Sequence, residues 1–158
     1  MAQKTLVLGL GNILLQDEGL GVAALQRLMA WRLLPESAEA MDGGVMGLDL
    51  LPHLDGVTNL LILDAVQTGQ APGALVRLEG ETIPATLAHK LSMHQIGLQE
   101  LLAVSRFRGT MPERVVLWGI EPASMKPGVG LSHCVAAQID SLVQAAVCEL
   151  HHWEGDRV

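Results

Sequence analysis

At 158 residues the chain has the length of one compact domain, 1–158. Hydrophobic residues make up 49% and charged residues 17%, with mean hydropathy +0.34, so a core can form and intrinsic disorder is excluded. A formal net charge of −7, ten scattered Lys and Arg, one Phe, three Trp and no Tyr argue against phosphate-tracking and base-stacking surfaces, so no nucleic-acid partner is expected.

Thr5 to Leu8 reads as a short buried strand that runs into a glycine turn, Gly9-Leu-Gly-Asn12. Leu20, Ala24, Leu25 and Leu28 then recur at helical spacing, with Asp17 available as a cap and Pro35 as the stop. A second strand is expected to approach Met41 and end at Asp42-Gly-Gly44, followed by a short helix around Leu48 to Leu54. Asn59 to Leu63 is a continuous apolar run of strand length, closed by Asp64. After the Pro72-Gly73 turn, Ala74 to Leu78 reads as a fourth strand, and residues 80–91, with Pro84, as a loop. Ser92 and Gln95 have capping-box spacing for a helix whose apolar face is Leu98, Leu101, Leu102 and Phe107. Arg114 to Trp118 is the last strand. Gly119 to Gly130 reads as a loop, and the closing helix as Ser132 to Leu150, leaving His151 to Val158 as a mobile tail.

Cys134 and Cys148 would then stand about 21 Å apart on one helix, too far for a disulfide. Unpaired thiols fit a reducing cytoplasm. Gly9 and Gly11 interrupt the N-terminal apolar run and Asp17 and Glu18 follow at once, so no signal peptide is expected; no stretch reaches membrane-spanning length either.

Strands alternating with helices predict an α/β fold, a three-layer sandwich with a twisted, mostly parallel five-stranded sheet and helices on both faces. Such sheets place ligands in the crevice beyond the carboxyl ends of the strands. The polar residues expected there are Asn12, Asp17, Glu18, Asp42, Asp64 and Glu121. Gly9-Leu-Gly11 also hints at a dinucleotide turn, but the position that needs a third glycine is Leu14. Taken singly, Glu18 fits an acid complementing a helix dipole, Asp64 a strand-end turn and His94 a surface histidine. Together, two carboxylates and an imidazole on the ligand-binding face could bind a divalent transition metal. No H-E-x-x-H helix or G-x-S-x-G elbow is present. Glu36/Glu39 and Glu79/Glu81 read as solvated charges, and His151-His152 as part of the frayed tail.

The opening Leu6-Val-Leu-Gly-Leu-Gly-Asn-Ile-Leu-Leu-Gln-Asp-Glu-Gly-Leu-Gly-Val22 resembles that of the nickel–iron hydrogenase maturation endopeptidases. So do Met41-Asp-Gly-Gly44, Leu61-Ile-Leu-Asp-Ala65, Ala71-Pro-Gly73 and Lys90-Leu-Ser-Met-His-Gln95, in the same order over about Lys4 to Leu150. Val45 departs from the Thr common in that family. The resemblance implies an endopeptidase that removes the C-terminal tail of the nickel-loaded large-subunit precursor of a hydrogenase. It implies Glu18, Asp64 and His94 as the catalytic and metal-binding residues, with Asp42 and Asn12 as supporting groups or substrate contacts. The nickel would be supplied by the precursor, with no permanently bound cofactor and no membrane partner. Two other readings share some of these residues: a non-catalytic nickel-dependent chaperone of the precursor, and a small nucleotide-binding domain.

Overall fold

The computed structural model describes residues 3–88 and 93–156. Five strands, β1 (Thr5–Leu10), β2 (Ala38–Gly44), β3 (Asn59–Ala65), β4 (Leu75–Glu79) and β5 (Arg114–Ile120), form one sheet in the order β2-β1-β3-β5-β4. All neighbours are parallel except β4, an edge strand antiparallel to β5. The helices are α1 (Leu20–Ala30), α2 (Thr82–Leu87), α3 (Met93–Phe107), α4 (His133–Ala136) and α5 (Ile139–Gly155), with 3-10 segments at Gln16–Gly19 and Gly47–Leu54. The expected three-layer α/β sandwich is what the chain forms.

Period-two alternation distributes each inner strand between two cores. Leu6, Leu8, Leu60, Ile62, Val115 and Leu117 face the 47–54 segment, α2 and α3. Val7, Leu61, Leu63 and Val116 face α1 and α5. This explains the unbroken apolar run of β3, whose residues are all buried. Such a strand has no polar side to give away, so Asp64 at its end stands out.

Several expectations about the elements are corrected. Residues 82–87 are helical although they contain Pro84. Pro84 is the third helical residue, where the missing N–H would have had no helical partner. Helix α1 ends at Ala30, before Pro35, in a left-handed Arg32 (φ 55°). There the Arg32 and Leu33 N–H groups donate to Met29 and Leu28 carbonyls, a Schellman closure. The closing segment is two helices, broken at Ala137-Gln138, so the two free cysteines lie on different helices. Finally, α5 continues through His151 and His152 to Gly155 and buries Trp153, so that stretch is not a frayed tail.

Phe107 does not join the face of α3. It is 93% exposed, whereas Leu98, Leu101, Leu102 and Ser105 are buried. Those four follow the helical i, i+3, i+4, i+7 rule, and Phe107 falls outside it. The Ser92 half of the expected capping box lies outside the described residues. No helix among the described residues is long and apolar enough to cross a membrane.

Candidate functional site

The sheet order places a topological switch between β1 and β3. From β1 the chain crosses through α1 to β2; from β3 it leaves toward β4 and β5. The loops diverge there and open a crevice at the carboxyl ends of the strands.

Glu18 enters this crevice from the single 3-10 turn Gln16–Gly19 after β1. The turn lies against Gly11, whose φ is +123° and where a Cβ would come within 1.7 Å of the Glu18 carbonyl oxygen. The glycine turn therefore serves close backbone packing under Glu18. Asp64 is the penultimate residue of β3, and its Oδ1 accepts the Ala65 N–H at 2.8 Å. His94 is the second residue of α3. The next residue, Gln95, donates its side-chain amide to the Ala65 carbonyl at 2.8 Å, docking the start of α3 on the end of β3.

The three side chains meet in one cluster. All are buried, Asp64 completely. The His94 ring lies between the carboxylates: Nδ1 bonds to Glu18 Oε1, and Nε2 donates to both Asp64 oxygens at 2.9 Å. Burial alone would push the His94 pKa down. The charge of Asp64, its hydrogen bond and those of Glu18 outweigh burial and raise it. The cluster is thus an imidazole ring held between two acids that favour its protonated form. In this arrangement the groups bond to one another and do not surround a common point. Accordingly, among the described residues no group of three or more His, Cys, Asp or Glu side chains is arranged to hold a metal ion.

The remaining predicted residues do other work. Asn12 Oδ1 accepts the Leu14 N–H, and Asp42 Oδ1 accepts the Gly44 N–H, both at 2.9 Å. These are local turns beside the crevice, linked where the Gly11 N–H donates to the Gly44 carbonyl. Neither side chain bonds to the three-residue cluster. Glu121 holds the loop after β3 by accepting Thr68 N–H and Oγ1–H and Gly69 N–H. Glu79 and Glu81 are ion-paired on the surface with Arg77 and Arg106.

Asp17 does not cap α1; that helix starts at Leu20, and its N-cap residue is Gly19, with no side-chain cap bond. It is fully buried and accepts N–H groups of Ala123, Ser124 and Ser132 and the Ser132 hydroxyl. Sequence reasoning missed this role because the donors lie more than a hundred positions away. It also read Gln95 only as a cap; the adjacent His94 was the available signal.

The family model for hydrogenase maturation proteases matches residues 22–149. Over 148 residues the chain is 38% identical to the hydrogenase 2 maturation protease of Escherichia coli, covering 93% of this chain and 90% of that protein. It is 40% identical over 153 residues to the hydrogenase expression/formation protein HupD of Rhodobacter capsulatus, covering 96% and 73% respectively. The fold is similar to the hydrogenase maturating endopeptidase HybD from E. coli, with a TM-score of 0.88 at 37% identity over 95% of this chain and 93% of that one. By family model, sequence identity and fold, the chain belongs to the hydrogenase maturation protease family.

Proposed function

We propose that this hydrolase removes the C-terminal tail of the nickel-loaded large-subunit precursor of a nickel–iron hydrogenase. In this reading Glu18, Asp64 and His94 dock the nickel that the precursor carries. The observation that carries it is the convergence of these three side chains, from three separate elements, in one buried cluster at the switch point. Two carboxylates and one imidazole are a donor set suited to a borderline divalent ion. A buried cluster of this kind is costly unless its groups are partnered, and these three partner one another.

Docking exchanges those bonds. A ring nitrogen binds the ion only when it carries no proton, so His94 exchanges one carboxylate partner for nickel. The two acids supply negative charge to the ion. Two chemical routes are then open to it: polarising the scissile carbonyl, or acidifying a water for attack on that carbonyl. Asp42 and Asn12 act in this reading through the shape of the adjoining turns. The protein needs no resident cofactor, because the ion arrives with the substrate.

The test is intact-mass measurement of nickel-loaded precursor after incubation with wild-type protein and with Glu18→Gln. Wild type is expected to release the tail peptide and Glu18→Gln to leave the precursor whole. Unprocessed precursor with wild type, together with a stable complex, would favour the chaperone reading. Equal processing by both would remove Glu18 from the site.

A further inference from the structure

Asp17 is a buried ionisable group that the proposed chemistry does not use, and it adjoins Glu18. A carboxylate with no exposure is retained at high desolvation cost unless its oxygens are satisfied. Here four donors satisfy it: Oδ2 accepts Ala123 N–H at 2.9 Å, Ser124 N–H at 3.0 Å and the Ser132 hydroxyl at 2.8 Å, and Oδ1 accepts Ser132 N–H at 2.7 Å. These donors sit at the two ends of the strap 122–132 that joins β5 to α4. One carboxylate therefore clamps both ends of the strap. The backbone adds three further ties. Asp17 N–H donates to the Ser124 carbonyl, Gln16 N–H to Gly128, and Gly128 N–H to Leu14.

The turn that carries Glu18 needs such an anchor. It is four residues of 3-10 helix with no side-chain cap bond, too short to be stable alone. Successive residues of a 3-10 turn project about 120° apart. Asp17 thus points to the strap while Glu18 points to His94. On the strap side, Gln16 is held in the left-handed region at φ 48°, a conformation that a non-glycine residue keeps only under external restraint.

We infer that Asp17 is a positioning residue: by gripping both ends of the 122–132 strap it fixes the 16–19 turn and so aims the Glu18 carboxylate at Nδ1 of His94. The inference rests on the proposed role of Glu18 for its catalytic consequence, but not for its geometric one. Asn at position 17 keeps the shape of the side chain but replaces one acceptor oxygen with a donor that faces N–H groups. The turn then loses its grip on the strap, and Glu18 moves relative to the ring.

The experiment combines a spectroscopic and a kinetic readout on the full chain. Histidine ring nitrogens are observed by 15N NMR in wild type, Asp17→Asn and Ser132→Ala, with the His94 signals assigned from a His94→Gln spectrum. In Asp17→Asn the Nδ1 resonance is expected to move away from its carboxylate-bound position, with Nε2, bonded to Asp64, moving less. Ser132→Ala, which removes one donor and leaves the rest, is expected to show a smaller shift of the same sign, and it decides the matter if Asp17→Asn does not fold. Processing of nickel-loaded precursor by Asp17→Asn should fall about tenfold or more in kcat, with KM changed less. An unmoved Nδ1 resonance in a folded variant overturns the inference. If wild type itself does not cleave the precursor, the proposed function fails, and the ring-nitrogen shift still decides the role of Asp17.

Discussion

Each nitrogen of the His94 ring has its own carboxylate partner, and this governs how substitutions at the cluster behave. Glu18→Gln and Asp64→Asn keep the side-chain shape and remove the charge that a divalent ion requires. Processing of nickel-loaded precursor is expected to fall by about 100-fold or more in each. Glu18→Gln should retain a thermal midpoint close to wild type, because an amide oxygen can still accept from Nδ1. His94→Ala is different. Taken singly, His94 reads as a surface histidine, but the ring is buried between two acids. Its removal leaves two buried acids without the ring that partners both and should cost about 3 kcal/mol of stability as well as activity. Glu18→Gln is therefore the cleaner test of the site. The pH dependence has a definite sign. Folding raises the His94 pKa above its ordinary 6.5, so this stabilisation is full below that value and is lost as pH rises through the folded pKa. Thermal midpoints of the substrate-free protein between pH 5 and 9 should show that decline. Glu18→Gln should show a shallower one, because one of the two partners that raise the pKa is weakened.

At the level of elements, close backbone packing sets the site. Gly21, in the first turn of α1, lies against β3 and β1: a Cβ there would come within 2.0 Å of the Leu63 carbonyl oxygen and 2.5 Å of Leu10's. Gly21→Ala should force α1 off the sheet, costing about 1–3 kcal/mol and, because α1 follows the Glu18 turn directly, lowering processing as well; denaturant melts and the cleavage assay check both. Trp153 tests the corrected C-terminus. As a buried residue on the last turns of α5, it should cost about 3–5 kcal/mol when changed to Ala, where a frayed tail would cost nothing measurable. Much of the fold could be read from the residues because the signals were local. The apolar run at Asn59–Leu63, the glycine turns and the stripe through α5 each report their own surroundings. The misses share a different cause. Pro84 reads as a breaker in the sequence, although its position in the first turn removes no helical bond. No Gly or Pro marks the break at Ala137-Gln138. Phe107 reads as a core residue by hydrophobicity, whereas the helical period points to Ser105. For the site, Glu18, Asp64 and His94 could be placed on the right face from strand-ends and helix-starts. The bonds among them, and the Asp17 clamp, depend on partners distant in sequence that no local pattern announces.

Across the whole molecule the architecture separates stability from chemistry. Two apolar cores, one on each face of the sheet, hold the strands in register, and the antiparallel β4 closes one edge. The loops that leave β1, β3 and β5 are then free to carry charge at one end of the sheet. Glu18, Asp64, Asp17 and Glu121 are all buried there, and each is satisfied by donors from another segment. Concentrating acids at that end suits a cationic group, and two of them raise the pKa of the His94 ring between them. The claim that the substrate's own nickel is what this cluster recognises is tested most directly with one protein and two forms of the precursor. Wild type is incubated with nickel-loaded and nickel-free large-subunit precursor and the products are weighed by intact-mass spectrometry. The account predicts loss of the C-terminal peptide from the nickel-loaded form alone; cleavage of both forms at equal rates would contradict it.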